Sequence, residues 1–499
     1  MGTVGSVSSP ASATTAAGAL AALVGARAGE RTVFLEAARD DRTLTHADLV
    51  AHAAAWAARL HAWGVAPDAR VLVRTADPLT TAVALLGIAA AGRTAVPVDP
   101  RAPAADVARS RRVSSAAAAV TDDDAAGEGW HVVPVVDPAA PGASADDFTP
   151  RPGGGIALAT SGSTGAPKLV LLGEQQLVHV ATMVATHNAL TPADRGYNPL
   201  PLFHINAEVV ALLASLVGGS TLVLDARFRR TGFFDLLRER RITWVNGVPA
   251  IWSILAGEPV PEPLPDLRFV RSASAPLPHA VRTWIAGALG VPVVESYGMT
   301  EAASQITATP LDGSAPEGSV GRGVGTEVQV RVEGRSAAPG ESGRVWIRGP
   351  GVVTGYADTP DAPAARLADR FDADGWLDTG DVGRLDPDGF LTLDGRADDV
   401  INRGGELVHP REVEEVLHQD RRIRDAVVVG RPDPVLGQVP VAYLELRPEA
   451  AVEADDVVAG AAKRAVESLS AFKRPVDYHV VDTLPRTSTG KIKRREVGR

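Results

Sequence analysis

Apolar and polar residues alternate in blocks along the first 300 positions, and the blocks have two different spacings. Short apolar runs favour buried strands, and longer segments carry apolar residues at helical spacing. In the segment 45–64 Thr45 can cap a helix with Asp48, and Gly64 can end it. One face of this predicted helix carries Leu49, Ala53, Trp56, Leu60 and Trp63.

The order of these elements predicts βαβ units and a parallel sheet with helices on its faces. From about position 317, short alternating strands separated by Gly, Asp and Pro turns replace the earlier pattern. The predicted fold class is therefore α/β. It comprises a disordered leader (1–18), a large N-terminal domain (19–397) whose small β subdomain spans about 317–397, and a compact α+β C-terminal domain (398–499).

Composition narrows the possible functions. The chain has 499 residues, 45% of them hydrophobic, and a formal net charge of -10, so no basic surface indicates nucleic-acid binding. It has no Cys, which excludes disulfides, thiolate metal sites and a Cys nucleophile, and any reacting thiol must come from outside the chain. Because neither a run of about 18 apolar residues nor a signal peptide is evident, we expect a cytoplasmic protein without a membrane span.

The stretch "TSGSTGAPK", Thr160 to Lys168, has three interpretations. A flexible linker would not normally join the two apolar runs that flank it. The P-loop pattern requires Lys directly after Gly and then Ser or Thr, whereas Ala166-Pro167 separate Gly165 from Lys168 here. A tight turn between strands, with free amides, hydroxyls and a cation, can bind polyphosphate instead.

Six stretches then occur in a consistent order: "TSGSTGAPK", "PLFHINA", "SYGMTE", "GWLDTGD", "GRADDVINRGGE" and "PRTSTGKIKR". Together they resemble the adenylate-forming superfamily of acyl-CoA synthetases, peptide-synthetase adenylation domains and luciferases. The wording "NRGGE" looks more like the acyl-CoA synthetase branch, and "VRSASAPLP" with "PLFH" looks like enzymes for small acids such as oxalyl-CoA synthetases.

This resemblance implies ATP, Mg²⁺ and a two-step reaction. An acid attacks the α-phosphate of ATP to give an acyl-adenylate and pyrophosphate, and an acceptor, usually the thiol of CoA, then displaces AMP. It also implies that the C-terminal domain is mobile and rotates between the two steps. The implied partners are a small-molecule acid and an acceptor; the sequence leaves the oligomeric state open.

Nucleotide-binding roles follow from the resemblance, motif by motif. Tyr297 would stack on adenine, Thr300 would bond the α-phosphate, Glu301 would bind Mg²⁺ and Asp381 would bond the ribose. The other residues expected at the nucleotide are Thr160, Ser161, Gly162, Ser163, Thr164, Gly165, Lys168, Ser274, Ala275, Glu295, Ser296 and Arg396.

Three further positions carry roles in the reaction cycle. Lys491 matches the C-terminal lysine that bridges the acid and the α-phosphate, Asp398 matches the hinge, and His204 would gate the acid-binding end. The residues expected near the acid, from their positions alone, are His204, Asn206, Glu208, Gly247, Gly298 and Met299.

One departure and two alternatives remain open at this point. Family members often carry a Thr-His pair shortly after the loop lysine, where this chain has Gly173-Glu174. The acceptor is predicted to be CoA, with a separate carrier protein or an amine as alternatives, including activation of nitrite for diazotisation of an aromatic amine. A non-catalytic protein that binds ATP or AMP is the second alternative.

Overall fold

The structure is a computed structural model of the whole chain. It describes residues 19–123, 129–137, 142–161, 167–260, 263–360, 370–486 and 492–498. The predicted leader (1–18), the central phosphate-loop residues (162–166) and Lys491 lie outside the described residues, as do the side chains of Thr160 and Ser161.

Twenty-five strands are described, and they are numbered here in chain order. They are β1 (Val33–Ala37), β2 (Thr43–Thr45), β3 (Arg70–Arg74), β4 (Thr94–Pro97), β5 (Ala118–Thr121), β6 (His131–Val132), β7 (Gly155–Ser161), β8 (Pro167–Gly173), β9 (Arg195–Asn198), β10 (Thr221–Leu224), β11 (Trp244–Gly247), β12 (Phe269–Ala273), β13 (Val293–Met299), β14 (Ser304–Ala308), β15 (Arg322–Gly323), β16 (Glu327–Val332), β17 (Arg335–Ser336), β18 (Gly343–Arg348), β19 (Leu377–Leu385), β20 (Leu391–Arg396), β21 (Ile401–Arg403), β22 (Glu406–Val408), β23 (Ile423–Asp433), β24 (Gly437–Leu446) and β25 (Asp477–Val481).

The α-helices of the described ranges lie mostly between these strands. They are α1 (Ala19–Gly25), α2 (His46–Ala62), α3 (Pro78–Ala90), α4 (Ala104–Ser114), α5 (Glu174–His187), α6 (Ala214–Gly218), α7 (Phe233–Glu239), α8 (Pro249–Leu255), α9 (His279–Leu289), α10 (Pro410–Leu417) and α11 (Ala454–Ser468). A π-helical segment, Asn206–Leu213, precedes α6 directly.

Two large sheets form the N-terminal part. One has the strand order β15-β14-β13-β12-β11-β9-β10-β1-β2, and the other has the order β6-β5-β3-β4-β7-β8. Their centres are parallel, as the βαβ pattern predicts, but β2, β8, β14 and β15 pair antiparallel. The prediction of parallel strands is therefore wrong for these four strands. The short connections at β2, β8 and β14 reverse the direction of the chain without a crossover helix.

Two smaller sheets follow. Strands β16 to β20 form a five-stranded antiparallel sheet, and strands β21 to β25 form another sheet in the C-terminal part. Helices α10 and α11 pack on the latter around a separate buried cluster that includes Val413, Leu417 and Ala461. The α/β fold class with a small β unit and an α+β C-terminal unit is thus confirmed.

The largest buried cluster joins the two large sheets. It contains Leu35 and Leu222 from one sheet, Val71 and Ile156 from the other, and Leu49 from the helical layer. The predicted start of α2 is confirmed in detail, because Thr45 and Asp48 form a reciprocal capping box. Among the described helices, none has both the length and the apolar character required to cross a bilayer.

Candidate active site

The predicted site residues converge at one edge of the molecule. Ligands of open α/β sheets bind outside the carboxyl ends of parallel strands. Strands β7, β11, β12 and β13 end at the phosphate loop, Gly247, Ala273 and the "SYGMTE" motif, respectively. Strands β7 and β8 pair antiparallel from Gly155↔Gly173 to Ser161↔Pro167, so the phosphate loop connects a hairpin, as its flanking apolar runs predict.

Lys168 lies close to several of the other predicted residues. Its ammonium nitrogen is 5.4 Å from the centre of the Tyr356 ring. Burial lowers the pKa of Lys168; Arg370 and Arg396 lower this pKa further, whereas Glu301 and Asp398 raise it. The phosphate-loop lysine and residues from two later motifs are therefore near enough to interact electrostatically.

Glu301 is a buried carboxylate in a single 3₁₀ turn, Thr300–Ala302. Its Oε1 accepts a hydrogen bond from the hydroxyl of Tyr356. Arg370 donates to the same hydroxyl at 3.2 Å and lies 3.8 Å from Glu301 Oε1. These contacts fix one oxygen of Glu301, and a metal ion bound at the site would meet a carboxylate that is already oriented.

This donor set fits Mg²⁺. Magnesium is usually bound by one or two carboxylates, with waters and phosphate oxygens as the other ligands. Among the described residues there is no group of three His, Asp or Glu side chains that could bind a metal ion by itself. The single carboxylate of Glu301, beside the phosphate-loop lysine, therefore suits a Mg²⁺ ion whose other ligands are phosphate oxygens and waters.

Tyr297 and Asp381 join two motifs that are far apart in the sequence. The hydroxyl of Tyr297 donates to Asp381 Oδ2 at 2.5 Å, and Arg396 Nη1 lies 3.1 Å from Asp381 Oδ1. Asp381 and Arg396 are register partners on β19 and β20, which explains their contact. The structure thus brings together the residues predicted at the adenine and the ribose.

Backbone strain marks the same edge of the sheet. Ser274, directly after β12, has a φ of 74°, and Ala303 and Ser304 have φ values of 49° and 93° after Glu301. Positive φ is uncommon outside Gly and concentrates at functional sites. Ser274 and Ala275 are exposed at the end of the strand, where a nucleotide could contact them.

Of the residues predicted near the acid, Asn206 belongs to a buried polar row of three asparagines. Asn246 Nδ2 on β11 donates to Asn206 Oδ1 at 2.7 Å and to Asn198 Oδ1 at 3.0 Å. His204 lies just before the π-helical segment, and within the described residues its Nε2 has no partner. Burial lowers the pKa of His204 to about 4, so its ring is neutral at pH 7.

Glu208 lies in the π-helical segment two residues after Asn206, and two helical residues are separated by about half a turn. Its side chain is fully buried, and neither carboxylate oxygen has a partner among the described residues. Burial raises its pKa well above the ordinary value. The structure therefore brings Asn206, rather than Glu208, into contact with Asn246.

Gly298, one of the residues expected near the acid, is required by the packing of the backbone. A Cβ on Gly298 would lie 1.6 Å from the carbonyl oxygen of Ser304, so strand β14 requires glycine there. Gly247 ends β11 beside Asn246 and is buried. Met299 ends β13 and packs, half-buried, against Ala302 and its neighbours.

Glu295 and Ser296 precede Tyr297 on β13 and contact two arginines. Arg282 on α9 forms an ion pair with Glu295 at 2.5 Å. The fully buried Arg271 on β12 donates to Ser296 Oγ at 3.1 Å. Both motif residues are therefore oriented from neighbouring elements.

Asp398 lies in a 3₁₀ turn, Ala397–Asp399, between β20 and β21. The turn contacts the C-terminal tail, because Arg494 lies 3.3 Å from Asp399 and Arg495 lies 3.6 Å from Asp398. The predicted hinge is thus joined to the segment that follows Lys491.

Glu174, which stands near the position of the Thr-His pair of many family members, has a structural role. Its Oε2 accepts from the amide of Leu20, in the first turn of α1, and its Oε1 accepts from the amide of Gly153, each at 3.2 Å. A carboxylate at a helix N-terminus satisfies free amides and the helix dipole. The residue that departs from the family pattern therefore fastens α1 to the end of the β7–β8 hairpin that is opposite the phosphate loop.

Sequence reasoning missed four residues of this region: Tyr356, Arg370, Arg271 and Asn246. Tyr356 and Arg370 flank the unassigned segment after β18, and no local pattern signals their contact with Glu301. Arg271 stands as a charged residue in the apolar run "LRFVRSAS", which was a signal for a buried polar contact.

Comparison with known proteins gives a consistent result. The family model "AMP-binding enzyme" matches residues 22–357, and "AMP-binding enzyme C-terminal domain" matches residues 412–491.

The chain is 39% identical to sulfoacetate–CoA ligase of Cupriavidus necator over 67% of this chain and 65% of that protein. It thus spans less than two thirds of that relative's length. It is 36% identical to an oxalate–CoA ligase of Arabidopsis thaliana over 79% of this chain and 76% of the relative. Neither name specifies a carrier protein or an amine as acceptor.

Among solved structures, the chain resembles o-succinylbenzoate coenzyme A synthetase from Bacillus subtilis in complex with ATP and magnesium. The TM-score is 0.81 at 27% identity, and the alignment covers 95% of this chain and 98% of the other.

Proposed function

The chain belongs to the AMP-binding enzyme family, within the adenylate-forming, acyl-CoA synthetase-like superfamily, and from this premise we propose that it is an AMP-forming acid–CoA ligase. Its substrates are a small acid, ATP and CoA, and Mg²⁺ is its metal ion. The observation that carries the proposal is the convergence of Lys168, Glu301, Tyr297 and Asp381 at one edge of the two large sheets.

The first step joins the acid to the nucleotide. A carboxylate oxygen of the acid bonds to the α-phosphorus of ATP, and the bond from this phosphorus to the pyrophosphate oxygen breaks. Lys168, with the loop residues Ser161, Ser163 and Thr164, binds the leaving phosphates, and Thr300 bonds the α-phosphate. These donors stabilise the charge that develops on the phosphate oxygens.

The nucleoside end is bound by a second set of side chains. Tyr297 stacks on the adenine, and Asp381, oriented by Tyr297 and Arg396, accepts hydrogen bonds from the ribose. Ser274 and Ala275 border the base. Glu301 is the protein ligand of Mg²⁺, and the ion neutralises phosphate charge when it is bound.

The acid lies at the polar row below His204. Asn206 and Asn246 are buried, so they suit a short polar acid better than a long aliphatic one. The two relatives are named for sulfoacetate and oxalate, which are both short acids. The neutral ring of His204 lies at the entrance to this row, and Gly247, Gly298 and Met299 form its borders.

The second step transfers the acyl group. The CoA sulfur bonds to the carbonyl carbon of the adenylate, the bond from this carbon to the AMP oxygen breaks, and the thiol proton is released. Lys491 acts only in the first step. Asp398 is the pivot about which the C-terminal domain, residues 398–499, rotates so that Lys491 leaves the site before the second step.

Acid-dependent exchange between ATP and pyrophosphate tests the first step directly. With Mg²⁺ present, we expect exchange with at least one short acid and, after CoA is added, the release of AMP and an acyl-CoA. If nitrite alone supports exchange, the protein instead activates nitrite for the diazotisation of an aromatic amine. ATP binding without exchange for any acid would indicate a non-catalytic nucleotide-binding protein.

A further inference from the structure

Arg271 is a fully buried cation whose partners are all neutral. Its Nη1 donates to Asn188 Oδ1 at 3.0 Å, and its Nη2 donates to Ser296 Oγ at 3.1 Å and Gln305 Oε1 at 2.5 Å. Its Nε has no partner, and no carboxylate of the described ranges forms an ion pair with it. Burial lowers its pKa to about 9, so the guanidinium is still charged at neutral pH.

Arg271 lies between the predicted acid pocket and the motif that carries the predicted nucleotide-binding residues. Arg271 on β12 is the register partner of Asn246 on β11, and side chains of paired residues point to the same face of a sheet. Asn246 contacts Asn206 of the predicted acid pocket. Ser296, on the other side of Arg271, belongs to the motif that carries Tyr297 and Glu301. Arg271 is therefore the neighbour, on the adjacent strand and on the same face of the sheet, of a residue in the polar row that we assign to the acid.

A purely structural role does not explain the charge. Neutral donors can satisfy the oxygens of Asn188, Ser296 and Gln305 without the cost of burying an ion. Buried charges in proteins are normally paired, because an isolated one loses its hydration without compensation. The neighbouring arginines of this region follow that rule, since Arg268 pairs with Asp194 and Arg282 with Glu295.

We propose that Arg271 binds a second anionic group of the acid, so that the substrate is a short dianionic acid with either two carboxylates or one carboxylate and one sulfonate. This assignment rests on the proposed function for the location of the acid. The reacting carboxylate faces the nucleotide, and the second anion forms charge-assisted hydrogen bonds with the guanidinium.

The test measures acid binding separately from catalysis. The protein is saturated with Mg²⁺ and α,β-methylene-ATP, which cannot release pyrophosphate, and calorimetry then measures the binding of oxalate, malonate, sulfoacetate and acetate. We expect at least one dianionic acid to bind much more tightly than acetate. Arg271→Met is expected to weaken its binding by about 30-fold or more, the typical effect of losing one partner of a buried charge pair.

Two further variants keep the test decisive if Arg271→Met fails to fold. Arg271→Lys retains the positive charge but lacks the planar guanidinium group with its several N–H donors. It is expected to recover part of the affinity for the dianionic acid. Arg268→Met removes an arginine three positions away that pairs with Asp194, and it should leave the preference for the dianion unchanged. ATP binding should stay within about threefold in all variants that fold.

Three results would overturn the assignment. These are equal affinity of the unmutated protein for acetate and for every dianionic acid, unchanged dianion binding in Arg271→Met, and an equal loss of monoanion and dianion binding in that variant. Selective dianion binding without any pyrophosphate exchange would instead contradict the proposed ligase function and leave the assignment of Arg271 in place.

Discussion

The hydroxyl of Tyr356 donates a hydrogen bond to Oε1 of Glu301, across 55 positions of the sequence. Glu301 is the proposed protein ligand of Mg²⁺, and the same tyrosine ring lies below the ammonium group of Lys168. Tyr356 thus contacts both the residue that we propose to bind the metal ion and the residue that we propose to bind the phosphates.

Replacing Tyr356 with Phe tests this positioning role. The ring stays below Lys168, but Glu301 loses the donor that orients it. We expect the Mg²⁺ concentration required for half-maximal ATP binding to rise about tenfold, since hydrogen bonds to charged groups contribute about 1.5–3 kcal/mol.

The matched control is Tyr197→Phe, which removes a buried tyrosine hydroxyl that donates to Asp225 at 3.2 Å, away from the predicted site. It should leave the Mg²⁺ requirement unchanged. An unchanged requirement in Tyr356→Phe would show that Glu301 does not need this donor.

Lys491→Ala should separate the two half-reactions. In the proposed mechanism the lysine neutralises charge only while the acid attacks the α-phosphate, so adenylate formation should fall by a factor of about 100 or more. The reaction of a preformed acyl-adenylate with CoA should be largely retained. Rapid-quench assays of each half-reaction measure the two rates.

Lys493→Ala is the control for this experiment. Lys493 lies two residues further on and forms an ion pair with Glu496 at 3.1 Å. The Lys493→Ala variant should preserve both half-reactions. If Lys491→Ala slows both steps equally, the lysine acts in folding or domain docking and not in the first step alone.

Glu208 should make the protein less stable as the pH rises. Burial raises the pKa of its carboxyl in the folded state, whereas in the unfolded chain the carboxyl has its ordinary pKa near 4.5. Between these two values the folded state binds a proton that the unfolded state has released, so stability decreases with increasing pH through this interval.

Glu208→Leu should therefore raise the thermal midpoint more at pH 8 than at pH 4, by an amount that corresponds to about 1–3 kcal/mol. Glu208→Gln should also remove the pH dependence but should stabilise less, because the amide stays without partners. A loss of acid binding in Glu208→Leu with unchanged pH dependence would show that the carboxyl contacts the substrate.

Much of the fold could be predicted because it depends on local patterns. The capping box of Thr45 and Asp48, the helix that ends before Gly64 and the strands before each motif all follow from short-range residue spacing. The π-helical segment at Asn206–Leu213 could not be predicted, because a nearly continuous apolar run such as "AEVVALL" lacks the periodicity that identifies a helix.

The site was predictable only where residues share a motif. Tyr297 and Asp381 were each expected at the nucleotide, but their mutual hydrogen bond depends on the packing of two different sheets. The contact of Tyr356 with Glu301 and the uncompensated charge of Arg271 likewise arise from tertiary neighbours. Glu174 was unexplained in sequence because its partner amides, at Leu20 and Gly153, lie in distant segments.

The central claim is that a carboxylate oxygen of the acid attacks the α-phosphorus of ATP. The most direct measurement supplies an acid whose carboxylates carry ¹⁸O, together with ATP, Mg²⁺ and CoA, and analyses the nucleotide product by mass spectrometry. The account predicts AMP that contains one ¹⁸O atom from the acid. Release of unlabelled AMP, or of ADP with ¹⁸O in inorganic phosphate, would contradict it.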